Sequence, residues 1–441
     1  MSNTVGLISL GCAKNRVDAE IIMYNLRQGG FTLVEDAARA DVAIINTCGF
    51  IEASKQESIN EILELAELKK EGKIKAIIVT GCLAQRYNSQ IMQELEEVDA
   101  VVGIGENGNI CDVIKEALNG KKVERFPDKL NLPIDGGRIQ STPNHWAYLR
   151  VADGCDNCCT YCAIPLIRGK FRSRKMENII EEAKKFVENG VKELNVIAQD
   201  TTRYGEDIYG RLMLPKLLRE LCKIDKLHWI RILYCYPDRI TDELIQTIKE
   251  EEKIVNYIDL PLQHCNGDIL KKMNRKGDKK SLSELIEKIR KNIPDVVLRT
   301  TLITGFPTES EEQFEELSSF VKETGFERLG CFAYSQEEDT PAAIMEGQID
   351  EETKNDRARI ITEQEALIME NFCKTQVSKT IEVLVDGYDR YAECYFGRSR
   401  FDAPEVDPCV FFKAKTKPKP GDIVRVKITD FIDCDLIGEI V

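Results

Sequence analysis

Histidine is nearly missing from this chain: among 441 residues only His145, His228 and His264 occur. That leaves little imidazole for a metal-binding set. Long hydrophobic runs are missing too. No stretch approaches the roughly 20 apolar residues of a membrane helix, so no membrane contact is expected. The opening residues, MSNTVGLISLGCAKN, have no basic n-region and too short an apolar run for a signal peptide. A cytoplasmic location is expected. Positive charge is not in excess: the net charge is −14 and the pI about 5.1. This disfavours a protein whose whole surface grips nucleic acid, while leaving room for a local basic patch. There is no long-period repeat and no low-complexity tract.

Cysteine, in contrast, is plentiful, at 16 residues. In a reducing compartment these are buried thiols, metal ligands or catalysts sooner than disulfides. The length suggests about three domains, and the pattern divides accordingly. Residues 1–125 carry apolar runs VGLISLG, DVAIINTC, KAIIVTGC and DAVVGIG separated by helical patterns, the signature of an open α/β sheet with covered faces. A linker rich in Pro and Gly spans 126–143. Residues 144–373 repeat the alternation, with WAYLRVADG, ELNVIAQD, WIRILYCYP, NYIDLPLQ, VVLRTTLITG and ERLGCFAYS as strands. A partial or full β/α barrel is expected, with its chemistry where strands end and loops begin. Residues 374–441 switch to short strands and turns, as in a small antiparallel β-barrel.

The stretch VADGCDNCCTYCAIPLIRG holds Cys155, Cys158, Cys159 and Cys162. Cys155, Cys159 and Cys162 have the spacing C-x-x-x-C-x-x-C directly after a strand. Thiolates suit zinc and iron–sulfur clusters. A structural zinc site closes with four ligands, and no neighbouring histidine completes this set. An iron–sulfur cube held by three thiolates keeps one iron open for chemistry. Cys158, adjacent to Cys159, reads as a spare thiol. A second set comprises Cys12 in SLGCAKN, Cys48 in NTCGF and Cys82 in TGCLA. Each closes a predicted parallel strand, and such ends share one edge of an open sheet. Three ligands would again leave an open position.

The first triplet, with Tyr161 before its last cysteine, resembles the signature of the radical S-adenosylmethionine superfamily. Two open clusters followed by a small barrel resemble the methylthiotransferase family over essentially the whole chain. The resemblance is carried by SLGCAKNRVDAE, NTCGFI, CTYCAIPLIRG, VIAQDTTRYG, RILYCYPDRI, DLPLQHCNGDILKKMNR, TTLITGFPTESEEQF, YSQEEDTPAA and GRSRFDAPEVD. The last points to the protein-modifying branch. Pro408–Cys409 departs from a glycine often found there and puts no catalytic residue in doubt. The resemblance implies a cluster domain, a radical barrel and a TRAM-type barrel, with two 4Fe-4S clusters and S-adenosylmethionine as cofactors. One S-adenosylmethionine would methylate sulfur at the N-terminal cluster. A second would be cleaved at the Cys155, Cys159 and Cys162 cluster, and its radical would take a hydrogen from the substrate carbon.

The implied substrate is an aspartate β-carbon of ribosomal protein S twelve, free or in the small ribosomal subunit. The alternative is an adenosine in transfer RNA, modified by the sister branch. A different class, a non-catalytic iron–sulfur redox or scaffold protein, is disfavoured by a triplet without a fourth cysteine. Residues 374–441 hold 11 Lys and Arg against 12 Asp and Glu. A barrel gripping an RNA backbone would be clearly basic, although the run KAKTKPKPG is so locally. An acidic enzyme attracts a basic ribosomal protein. Asp402, Glu405 and Asp407 in GRSRFDAPEVD are expected to be exposed and to pair with it. A flavodoxin- or ferredoxin-like electron donor and a monomeric state complete the expected partners.

Weaker signals surround these. GIGENG (Gly103, Gly105, Gly108) matches G-x-G-x-x-G but follows the fourth strand, so a plain strand-to-helix turn is the better reading. Gly305 is either a turn glycine or, with Ile303, a lining of the S-adenosylmethionine site. Gln199 and Asp200 either face the site or cap the next segment. His264 and Cys265 read as structural, and the remaining cysteines as ordinary thiols.

Overall fold

Apolar runs buried from end to end are what a parallel sheet covered on both faces requires, and Val42–Thr47, Ala76–Gly81 and Ala100–Val102 are of this kind. The computed structural model describes residues 3–88 and 90–441. β1 (Thr4–Ser9), β2 (Thr32–Val34), β3 (Val42–Thr47), β4 (Ala76–Gly81), β5 (Ala100–Val102) and β6 (Val123–Arg125) form one parallel sheet in the order β2-β1-β3-β4-β5-β6. Ile44 and Ile78 pack with residues of helices Ala13–Gln28 and Ile110–Leu118. Their neighbours Ile45 and Ile77 pack with residues of helices Glu52–Lys70 and Cys82–Tyr87 on the other face. β2 and β6 escape the sequence pattern because they are three-residue edge strands.

The chain forms two compact units. The first comprises Met1–Ser141, Ala152–Arg174 and Ser335–Ala343; the second comprises Thr142–Val151, Lys175–Tyr334 and Ile344–Val441. β7 (Trp146–Arg150) belongs to the second unit. β8 (Ala152–Asp153) and β9 (Arg172–Ser173) pair antiparallel in the first.

In the second unit, β10 (Glu193–Ile197), β11 (Trp229–Ile232), β12 (Ile254–Asp259), β13 (Val297–Thr304) and β14 (Arg328–Ala333) join β7 in a parallel sheet ordered β14-β13-β12-β11-β10-β7. Six strands leave it open, so the barrel is partial. Helices between strands start at defined caps. Ser310 and Gln313 form a capping box for Glu311–Thr324, which ends at the left-handed Gly325. The 26-residue helix Glu351–Gln376 leads to a closed barrel of β15 (Thr380–Asp389), β16 (Cys394–Ser399), β17 (Val410–Lys413), β18 (Ile423–Ile432) and β19 (Asp435–Ile440). All its pairs are antiparallel except β17 with β19, which run parallel.

Of the three acids expected to be exposed, Asp402 and Asp407 have their side chains buried and only Glu405 faces outward. Asp402 is 2% exposed and accepts a 2.7 Å bond from Arg328 Nη2. Asp407 accepts from Tyr257 Oη at 2.7 Å and lies 3.7 Å from Arg299 Nε. Only Glu405 is exposed, and it accepts from Tyr148 Oη at 3.0 Å. Arg231 donates to Glu193 and to the carbonyls of Arg400 and Ser399. Asp402 and Asp407 are therefore internal anchors that tie the loop before β17 to β12, β13 and β14. Composition alone hid this, because the partners they meet lie 74 to 257 positions away.

Candidate metal centre

The first unit carries both cysteine triplets. Cys12 is the N-cap of helix Ala13–Gln28, Cys48 follows β3, and Cys82 opens helix Cys82–Tyr87 directly after β4. The loops interlock. A Cβ on Gly11 would lie 2.7 Å from Cys48 Sγ, and one on Gly49 would lie 2.8 Å from Leu83 Cα and 3.2 Å from the Cys82 carbonyl carbon. Glycine permits that approach. Asn15 Nδ2 donates to the carbonyls of Leu10, Asn46 and Thr47, tying the strand ends together. Ser58 Oγ receives the Cys48 N–H and donates to the Cys48 carbonyl.

The second triplet lies on the loop after β8. Gly154, at φ +78°, precedes it because a Cβ there would fall 2.1 Å from the Lys170 carbonyl oxygen. The Cys155 N–H reaches Gly169 O, and the Cys162 N–H reaches Cys159 O. Cys159 is buried, Cys155 and Cys162 are half-buried, and Cys158 is exposed at a left-handed φ of 50°. Thr160 O accepts from Ala342 N, so the segment Ser335–Ala343 braces the loop. Glu337 in that segment binds Arg86 Nη1 at 2.6 Å.

The loop continues into helix Ile164–Arg168, where Ala163 and Ile167 pack with Cys82. Arg168 Nη1 donates to Asp153 Oδ2 at 2.9 Å, and Nη2 donates to Asp18 Oδ2 at 2.8 Å. Nη2 also lies 3.8 Å from Cys82 Sγ. Sequence reasoning missed Arg168, Asp153, Asp18 and Asn15. Their signal is position: each lies within a few residues of a triplet cysteine, in a chain where buried charge needs a reason.

Electrostatics differ among the thiols. Protein crowding works against the Cys12 thiolate, but Lys14, Arg168 and the backbone N–H groups of Asn15 and Lys14 outweigh it, and its pKa is lowered. Burial pushes the Cys48 thiol up, and Cys12 adds to this. Burial pushes Cys82 up to about 12; Arg168 opposes the shift, while Cys12 and Cys48 add to it. The three groups thus sense one another. A metal taking all three must displace protons.

The donor set fits an iron–sulfur cluster. The unit that carries both triplets contains no histidine, so neither triplet has an imidazole from its own unit to close a zinc site. Among the described residues no three His, Cys, Asp or Glu side chains gather tightly enough for one metal ion. A cube spreads its thiolates over separate irons.

In the second unit, Gln199 follows β10, while Ile303 and Gly305 lie at the end of β13, both at C-terminal strand ends of the same sheet. Gly305 sits at φ +69° with its N–H bonded to Glu309 Oε2, and a Cβ would collide with Lys354 Cγ at 2.2 Å. Asp200 is engaged by Thr202 and Arg239. His264 Nδ1 accepts from Asn266 N inside a buried loop, and Cys265 is fully buried. Tyr161 remains with its triplet in the first unit. In GIGENG, Gly105 packs its Cα against the Asp128 carbonyl in a 3-10 turn entering helix Ile110–Leu118.

Residues 4–103 match the Uncharacterized protein family UPF0004, residues 149–321 the Radical SAM superfamily and residues 377–441 a TRAM domain. The ribosomal protein uS12 methylthiotransferase RimO of Thermoanaerobacter sp. strain X514 is 49% identical over 437 residues, 99% of each chain. That of Caldanaerobacter subterraneus subsp. tengcongensis is 50% identical over 439 residues, again 99% of each. This chain belongs to the RimO family of methylthiotransferases. It is a radical S-adenosylmethionine enzyme, and that superfamily carries a 4Fe-4S cluster and S-adenosylmethionine. The radical S-adenosylmethionine methyltransferase TsrM of Kitasatospora setae, solved with cobalamin and a 4Fe-4S cluster, shares the fold. Its TM-score is 0.59 at 12% identity, covering 78% of this chain and 77% of that one. Among the described residues no helix of this RimO-family chain is long and apolar enough to cross a membrane.

Proposed function

We propose that this chain replaces a C–H bond at the β-carbon of an aspartate in ribosomal protein uS12 by C–S–CH3. The observation that carries the reading is full-length identity near one half with RimO enzymes, joined to two cysteine triplets in one compact unit. Cys155, Cys159 and Cys162 hold the cluster that takes S-adenosylmethionine. Tyr161, Gln199, Ile303 and Gly305 contact that cofactor. Cys12, Cys48 and Cys82 hold a second 4Fe-4S cluster. When bound, these groups supply one-electron cleavage and a methylated sulfur, chemistry no side chain has.

A group of that kind is needed because an aliphatic C–H has no proton that a base of ordinary pKa can remove. The chain's own residues do the rest. The thiolates fix each cluster, and Asn15 and Ser58 hold the loops that present Cys12 and Cys48. The apolar packing of Cys82 with Ala163 and Ile167 excludes water there. The enzyme works as a cytoplasmic monomer with a flavodoxin- or ferredoxin-like reductant.

The test is mass spectrometry of uS12 after incubation with the reconstituted enzyme, S-adenosylmethionine and a reductant, with transfer RNA treated in parallel. One methylthio group on one aspartate is expected. Modification of transfer RNA alone would overturn the substrate.

A further inference from the structure

Arg168 closes the short helix after the Cys155–Cys162 loop and is 1% exposed. Its guanidinium touches segments bearing both triplets. Asp153, bonded to Nη1, precedes Cys155 by two residues. Asp18 and Asn15, at 2.8 and 3.4 Å from Nη2, lie on the helix that Cys12 caps. Cys82 Sγ lies 3.8 Å from the same nitrogen. Asp18 and Asp153 are themselves buried, so their negative charge has this cation as its compensation.

Three physical consequences follow from that geometry. A guanidinium stays charged in any protein setting and offers donors in a rigid fork. A fork bound to two buried carboxylates is held in place, and the loops that carry those carboxylates are held with it. An N–H and a positive charge beside a cluster sulfur favour the more negative, reduced cluster, since hydrogen bonds to sulfur and net charge set cluster potentials.

We infer that Arg168 is a positioning residue that keeps the N-terminal thiolate site in register with the radical loop and raises the reduction potential of the cluster at Cys12, Cys48 and Cys82. The inference deepens the proposed function and rests on those three thiols holding a cluster.

The experiment starts from the C155A/C159A/C162A protein, which isolates the N-terminal site. Its iron is counted after reconstitution, and its potential is measured by redox titration followed by electron paramagnetic resonance. Adding R168Q should lower the potential and change the spectrum. R168K, which keeps the charge but loses the fork, should fall between. D18N, which keeps Arg168 and removes a neighbouring negative charge, should move the potential upward. In the chain with all six cysteines, R168K should raise the yield of 5′-deoxyadenosine per methylthio product by roughly 10–100-fold, the usual cost of losing a group that orients a metal ligand.

Absence of iron from the starting protein would sink the cluster reading of Cys12, Cys48 and Cys82. Iron bound normally, with potential and spectrum unmoved by R168Q, would overturn the role of Arg168 alone. Should R168Q fail to fold, R168K and D18N carry the same test, and unmoved potentials in both overturn it.

Discussion

Glu365 shows how a single residue carries the tension of the second unit. It lies on helix Glu351–Gln376, is 7% exposed, and is pushed up to about 7 by burial; Arg328 and the Leu329 N–H oppose this, and Asp407 adds to it. Its folded pKa therefore exceeds the ordinary carboxylate value of about 4.3. The favourable contribution is complete below about pH 4.3 and is lost as pH rises through about 7. Glu365→Gln should leave stability unchanged near pH 4 and raise it at pH 8, by a few kcal/mol at most. Denaturant melts at both pH values check this, and equal gains at both would contradict it. Nothing in EQEALIME distinguishes Glu365 from the exposed acids of the same helix, since its burial comes from a strand and a loop elsewhere in the chain. The cysteines are different. Their spacing and strand-end positions mark all six candidates, whereas Arg168 and Asp153 gain meaning only once their partners are seen.

At the scale of elements, the loop 399–407 is the clearest case. The sequence offers a polar segment with Pro404, which reads as a solvated turn. The fold instead spends its acids on Arg328, Arg299 and Tyr257. Removing one partner of a buried pair leaves an uncompensated charge, at a cost of about 3–5 kcal/mol. Asp402→Ala should lower stability by about that amount, with little dependence on salt, because buried pairs are poorly screened. Melts at two ionic strengths check it. A loss that disappears in high salt would return Asp402 to the surface role that the sequence suggests. The parallel strands were legible because their apolar runs are long and fully covered. β2, β6 and the parallel pairing of β17 with β19 were not, since edge strands are short and barrel closure is a property of the whole set.

For the whole molecule, three architectures in order were readable from changing periodicity: an open α/β sheet, a partial or full β/α barrel, of which the fold shows the partial form, and a small β-barrel, which the fold closes. What periodicity does not carry is that residues 152–174 and 335–343 pack with the N-terminal sheet, placing both triplets in one unit. Such long-range grouping depends on pairs like Arg168 with Asp18 and Arg86 with Glu337, each separated by 150 or more positions. Grouping both triplets in this way suits a division of labour, in which one set of thiolates serves cleavage of S-adenosylmethionine and the other serves delivery of sulfur. The most direct measurement is made on the C12A/C48A/C82A protein, reconstituted and given reductant, S-adenosylmethionine and uS12. 5′-Deoxyadenosine and methylthiolated uS12 are quantified in the same reaction. The account predicts that 5′-deoxyadenosine still forms while no methylthio product appears; methylthiolated uS12 made without those three cysteines would contradict it.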